Sequence, residues 1–123
     1  MGAASDPPAR GRHSRDRDVT RVLPAMEALH ANLEHRISLP RAAALCGLSP
    51  SRFGVLFRRT MGISFGQFSR RARLAHVAHR LIATDYPVEH LAAQCGFADG
   101  RHLHRLFVRH YRATPAAYRR EMR

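Results

Sequence analysis

The run Cys95-Gly96-Phe97-Ala98-Asp99-Gly100-Arg101-His102-Leu103-His104-Arg105-Leu106-Phe107 carries the punctuation of a tight turn between two helices. Gly96 can take the left-handed conformation that closes a helix, and Asp99 has the short acceptor side chain that opens the next. Past the turn, Leu103, Leu106 and Phe107 share one helix face. Arg101, His104, Arg105 and Val108 recur at i, i+3, i+4, i+7 on the opposite face. A short helix seated by its apolar side, with Arg and His outward, has the form of the second helix of a helix-turn-helix, the element that enters the DNA major groove.

The same unit occurs earlier in the chain. Ala43-Ala44-Leu45-Cys46-Gly47-Leu48 matches Ala92-Ala93-Gln94-Cys95-Gly96-Phe97, and the later copy is one residue longer just past the turn glycine. Beyond the turn, Ser49 matches Asp99 as cap, Phe53 matches Leu103, Leu56-Phe57 matches Leu106-Phe107, Ser64 matches Thr114, and Phe68 matches Tyr118. Caps fall on caps and apolar positions on apolar positions, so the chain is expected to hold two helix-turn-helix units.

Outward from these repeats the remaining elements follow. Residues 1–18 contain Pro7, Pro8 and several arginines with hardly any apolar side chain, and are expected to be a disordered basic arm, either touching DNA or merely solvated. A first helix is expected from Thr20, as cap, to about Arg36, with Val22, Met26, Leu29 and Leu33 inward and Pro24 in or near its first turn. Ser38 opens a short helix over 39–46. Ser49-Pro50 opens one to about Thr60, closed by Gly62. Ser64 and Gln67 have capping-box spacing and start a longer helix, which Asp85-Tyr86-Pro87 ends. Thr114-Pro115 begins a last short one. The expected architecture is all-α: seven helices forming two helix-turn-helix subdomains, 19–62 and 86–123, joined by a linker helix within 63–85. At 1.5 Å per residue that linker is roughly 28 Å long, close to the 34 Å turn of B-DNA, so two reading helices on one chain could reach successive major grooves.

The charge agrees with such a partner. Lys and Arg total 21, all of them arginine, against 9 acidic residues, for a formal net charge of +12. Between Glu34 and Asp85 no acidic residue interrupts Arg36, Arg41, Arg52, Arg58, Arg59, Arg70, Arg71, Arg73 and Arg80. No apolar run approaches the length of a signal peptide core or a membrane span, so a cytoplasmic, nucleoid-associated protein with no membrane partner is expected. Cys46 and Cys95 are too few for a disulfide framework and lack zinc-finger spacing. Their equivalent places in the two repeats read as small buried core positions with reduced thiols. His76 with His79, and His102 with His104, have no neighbouring Cys or carboxylate in sequence, so no metal site is expected. With scattered carboxylates and no activated thiol, catalysis is not expected, and neither is a cofactor.

The paired runs Leu39-x-x-x-Ala43-Ala44-x-Cys46-Gly47-Leu48 and Val88-x-x-x-Ala92-Ala93-x-Cys95-Gly96-Phe97, a second helix ending Leu106-Phe107, and the closing Thr114-Pro115-x-x-Tyr118-Arg119 closely resemble the AraC/XylS family of bacterial transcription regulators, over about residues 20–121. The resemblance implies a seven-helix domain that reads double-stranded promoter DNA, with activation through RNA polymerase as a further partner. It implies base-reading positions at Ser51, Gly54 and Val55 in the first unit, and at Gly100, Arg101, His104 and Arg105 in the second. Arg52, Arg58, Arg59, Arg109 and Arg112 are expected at phosphates, with Arg70, Arg71, Arg73, Arg119 and Arg120 as further candidates. The chain is read either as a short stand-alone regulator or as the C-terminal piece of a longer one. Two units permit a monomer and do not forbid dimers on adjacent sites. A non-specific or architectural DNA binder is the alternative, since it too would be basic and helical.

Two departures from the family pattern stand out. Gly54 and Val55 replace larger polar side chains, so most hydrogen-bond readout is expected from the second unit. Arg112 stands where the matching helix of the first unit ends in Gly62.

Overall fold

The computed structural model describes residues 6–123, with side chains from Asp16 onward. Among these residues every regular element is a helix: α1 (Asp6–Ala31), α2 (Leu39–Leu45), α3 (Pro50–Met61), α4 (Phe65–Ala83), α5 (Val88–Gln94), α6 (Gly100–Tyr111) and α7 (Pro115–Met122). Five of the starts are set by local chemistry. Ser38, Ser49, Asp99 and Thr114 accept hydrogen bonds from the backbone N–H of Arg41 (3.3 Å), Arg52 (3.2 Å), His102 (2.8 Å) and Ala117 (3.0 Å). Ser64 completes a reciprocal capping box: its Oγ accepts from the Gln67 N–H at 3.1 Å, and its own N–H donates to Gln67 Oε1 at 3.1 Å. The turn glycines Gly47 (φ 67°) and Gly96 (φ 81°) both adopt the left-handed conformation. Past each, the same bond closes the turn, from the Leu48 N–H to the Ala43 carbonyl (2.9 Å) and from the Phe97 N–H to the Ala92 carbonyl (3.0 Å).

The first helix differs from the expectation at both ends. Residues 1–5 lie outside the described residues, and from Asp6 onward the segment expected to be a disordered arm is helical. Asp6-Pro7-Pro8 places prolines in a first turn, where a missing N–H leaves no bond unmade, and each further residue of a seeded helix adds a hydrogen bond for little cost. The seed is the packed part, where Val22, Ala25 and Leu29 are fully buried. Pro24 therefore sits mid-helix rather than in the first turn. It has no N–H for the Thr20 carbonyl, and burial of its neighbours holds the helix through a position that costs about 3 kcal/mol when exposed. Thr20 is not a cap; its hydroxyl donates back to the Asp16 carbonyl at 2.8 Å. The helix stops at Ala31, which leaves Leu33 in the following turn, half-buried.

The chain divides into two compact units, one formed by residues up to Ala31 with Ile37–Phe68, the other by Asn32–Arg36 with Ser69–Arg123. The boundary falls inside α4, so the helix expected as a linker belongs partly to each. In the first unit Phe53, Phe57 and Phe65 pack with Val22, Ala25, Ala42 and Ala43. Their rings meet at 5.3–5.6 Å, mostly edge to face. In the second unit Leu74, Val77 and Leu81 of α4 pack with Leu91, Cys95, Leu103 and Phe107. Arg119 clamps the α4–α5 turn, its Nε donating to the Leu81 carbonyl (2.9 Å) and its Nη2 to the Tyr86 carbonyl (2.7 Å). Arg123 pairs with Asp85 at 2.5 Å, and that hydrogen bond holds the exposed carboxyl below the usual range.

Candidate nucleic-acid interface

In the second unit, Leu103 and Phe107 anchor α6 from beneath with no exposure at all. The seat orients the rest: Arg101, His104 and Arg105 are exposed, whereas Val108, expected on the same outward stripe, is half-buried. Gly100, Arg101, His104 and Arg105 line one cleft of about 710 Å³, bounded by Val88 and Glu89 of α5 and by Thr114, Pro115 and Ala116 at the start of α7. Gly100 has no side chain to offer a base. A Cβ there would lie 2.9 Å from Glu89 Cγ, so the glycine lets the Glu89 side chain rest on the first turn of α6. His102, half-buried, accepts from the Ala98 N–H through Nδ1 at 3.4 Å and faces the Phe97 ring, which separates it from the outward His104.

The matching face of the first unit is poorer in polar groups. Ser51 and Arg52 are exposed, Val55 is 66% exposed, and Gly54 has open space where a Cβ would stand. Ser51, Arg52, Val55 and Arg59 line a cleft of about 370 Å³ whose other wall is α1, through Asp18 and Arg21. Arg59 Nη2 reaches Asp18 Oδ2 at 3.5 Å, a surface pair worth a fraction of a kcal/mol that a phosphate can displace. Asp18, Arg21 and Glu89 escaped sequence reasoning. Asp18 lies in the segment read as an arm and Arg21 in the first turn of the helix expected from Thr20, and Glu89 comes to α6 only through the turn.

Arg58, Arg109 and Arg112 are exposed and lie outside both clefts. Arg112 closes α6 at φ 61°, the sole non-glycine residue with positive φ among the described residues, where Gly62 closes α3 at φ 84°. Two further phosphate candidates are otherwise engaged. Arg119 serves the backbone carbonyls named above. Arg73 is 5% exposed, donates to Ser69 Oγ at 2.6 Å, and stands over the Phe97 ring at 5.9 Å. Burial first, then Arg36 and Arg70, holds its pKa below the ordinary arginine value. An arginine on an apolar helix face is indistinguishable in sequence from one on a wet face until the neighbours are placed.

Among the described residues no group of three or more His, Cys, Asp or Glu is arranged to hold a metal ion, and no helix is long and apolar enough to cross a membrane. Both cysteines are free. Cys95 is fully buried, and burial, with Glu34 nearby, pushes its thiol pKa up, which makes it a packing residue. Cys46, expected to be buried alike, is half-buried at the edge of the first core.

Comparison with known proteins agrees with this architecture. The family described as "Helix-turn-helix domain" matches residues 42–121. The chain is 27% identical over 105 residues to the multiple antibiotic resistance protein MarA of Escherichia coli K12, covering 85% of this chain and 83% of MarA. The chain belongs to the AraC-type helix-turn-helix family. A structure of a probable AraC family transcriptional regulator from Rhodopseudomonas palustris superposes on this AraC-type chain with a TM-score of 0.76 at 28% identity, covering 85% of this chain and 98% of the other. The DNA-binding domain of AdpA, solved with a target DNA, superposes with a TM-score of 0.77 at 26% identity, over 82% and 91% of the two chains. The regulatory protein PocR of Salmonella typhimurium is 29% identical over 98 residues, and there the chain spans only 32% of its relative's length. AraC-type proteins are DNA-binding transcription regulators and not enzymes.

Proposed function

We propose that this protein is a sequence-specific regulator that reads promoter DNA through α3 and α6, each entering a major groove, and that it acts as an activator through contact with RNA polymerase. The observation that carries the reading is the face of α6. Three exposed nitrogen-rich side chains stand on a helix whose opposite side is fully buried, and they gather in one cleft. Arg101 and Arg105 suit the O6 and N7 of guanine, and His104 suits a neighbouring base edge. On α3, Val55 suits a thymine methyl and Ser51 a base edge or phosphate, so the first unit contributes apolar and shape readout. Arg52, Arg58, Arg59, Arg109 and Arg112 hold the backbone phosphates and carry no sequence information themselves. The protein works in the cytoplasm on the nucleoid, and a single chain suffices for one site.

Selection of bound fragments from random DNA, followed by footprinting, tests this directly. A defined motif preferred over unrelated competitor DNA by about 10³-fold at physiological salt is expected. Equal competition by unrelated DNA would instead identify an architectural binder. Binding is also expected to weaken steeply with salt. Five neutralised phosphates give a log–log slope near −4.5, at about −0.9 per phosphate, and a flat dependence would mean that the arginines are not used on DNA.

Arg112→Gly separates strain from function. Replacing a left-handed arginine by glycine is expected to raise stability by about 1 kcal/mol, the relief of backbone strain less the additional entropy glycine loses on folding. The same change is expected to weaken DNA binding and to flatten the salt slope by about 0.9. A gain in stability with no change in slope would remove Arg112 from the phosphate set.

A further inference from the structure

The carboxylate of Glu89 is out of place on a surface built to meet a polyanion. The α5–α6 turn brings it to α6, where its Cγ occupies the space 2.9 Å from a Cβ position on Gly100 and its Oε1 lies 3.6 Å from the same point. It lines the cleft shared by Arg101, His104 and Arg105, and it is exposed. Among the described residues it forms no salt bridge with any of the neighbouring cations. Phosphates repel it, and the major-groove edges of guanine and thymine offer it no donor. The groups there that it can accept a hydrogen bond from are exocyclic amino groups, and the pairing that recurs for a carboxylate is with N4 of cytosine. It sits over the N-terminal turn of α6, the end of a reading helix that approaches base edges.

We propose that Glu89 is a specificity-determining residue that accepts a hydrogen bond from a cytosine amino group in the α6 half-site, and that Gly100 is required to let it reach there. The inference rests on the reading of α6 as a DNA-reading helix. Glu89 also acts against wrong sequences: without an amino group opposite, its charge faces the groove unpaired, which penalises unrelated DNA.

The test is a parallel binding-site selection with the wild-type protein, Glu89→Ala, Glu89→Gln and Gly100→Ala, each checked for helicity by circular dichroism. The wild type is expected to require cytosine at one position of the α6 half-site. Glu89→Ala is expected to lose that preference by fivefold or more, about the lower end of what a good base contact discriminates, and to bind unrelated DNA more tightly. Glu89→Gln keeps the side-chain shape but can donate as well as accept, and its preference is expected to move away from cytosine. Gly100→Ala retains the carboxylate and displaces it, so it should reproduce the loss seen in Glu89→Ala with no change of charge. A wild-type motif that persists unchanged in all three variants would overturn the role of Glu89 while leaving α6 as reader. A wild type that selects no motif would overturn both.

Discussion

Phe107→Ala is expected to destabilise the second unit by about 3–5 kcal/mol, the cost of emptying an aromatic site in a packed core, against a total of about 5–15 kcal/mol for a domain. Phe107 is fully buried, stacks on Tyr111 at 4.5 Å, and meets Tyr118 edge to face at 5.4 Å. Leu103 and Phe107 alone hold α6 down with no exposure, so emptying one site frees the helix that carries the outward arginines. The protein provides its own reporter. It has no tryptophan, and its 3 tyrosines, Tyr86, Tyr111 and Tyr118, all lie in the second unit. Near-ultraviolet circular dichroism of tyrosine through a urea titration therefore follows that unit alone. The midpoint should fall sharply in Phe107→Ala, with base discrimination lost at temperatures where the variant is half-unfolded. Phe57→Ala, the matching change in the first unit, should lower the helical far-ultraviolet midpoint more than the tyrosine one. Equal tyrosine midpoints for Phe107→Ala and wild type would show that the seat of α6 is not this ring.

What could be read from the residues was local. A serine or aspartate three positions before an N–H that needs a partner, or a glycine where the chain must turn left-handed, specifies its structure without knowledge of the rest. The starts of α2, α3, α4, α6 and α7 were legible for that reason, as were the two turns and the equivalence of Phe57 with Phe107. The extent of α1 was not, because residues before Thr20 offer hardly any apolar side chain to signal a helix and because Pro24 reads as a helix boundary while packing of Val22, Ala25 and Leu29 overrides it. The candidate site divides along the same line. Arg101, His104 and Arg105 face outward because helical period dictates it. From the sequence Arg73 and Arg119 read as phosphate candidates, since only the assembled second unit buries one against Phe97 and bonds the other to the carbonyls of Leu81 and Tyr86. Glu89, separated from Gly100 by a whole turn, became part of the α6 cleft only once the backbone was closed.

Arg101→Ala and Arg105→Ala are each expected to weaken binding to the selected site by about 1–3 kcal/mol and to relax preference at one base position. Both side chains are exposed, on the helix face opposite Leu103 and Phe107, so their removal should leave the urea midpoint within about 0.5 kcal/mol of wild type. The informative contrast is with lysine. Arg105→Lys keeps the positive charge but not the planar fork that meets guanine O6 and N7 together. It should retain the salt slope of the wild type and still lose discrimination at its position. Arg109→Ala, a phosphate candidate on the same helix, should do the reverse: binding weakens by a similar factor on every sequence, the slope flattens by about 0.9, and the motif is unchanged. Titrations of the four variants against the selected site and one-base variants of it, at several salt concentrations, separate the two roles. If Arg105→Lys preserved the motif in full, Arg105 would be a point charge on the backbone, and base readout on α6 would fall to Arg101, His104 and the carboxylate beside them. The discrimination lost in Arg105→Lys measures how much of the base readout in this half-site depends on a planar guanidinium rather than on charge.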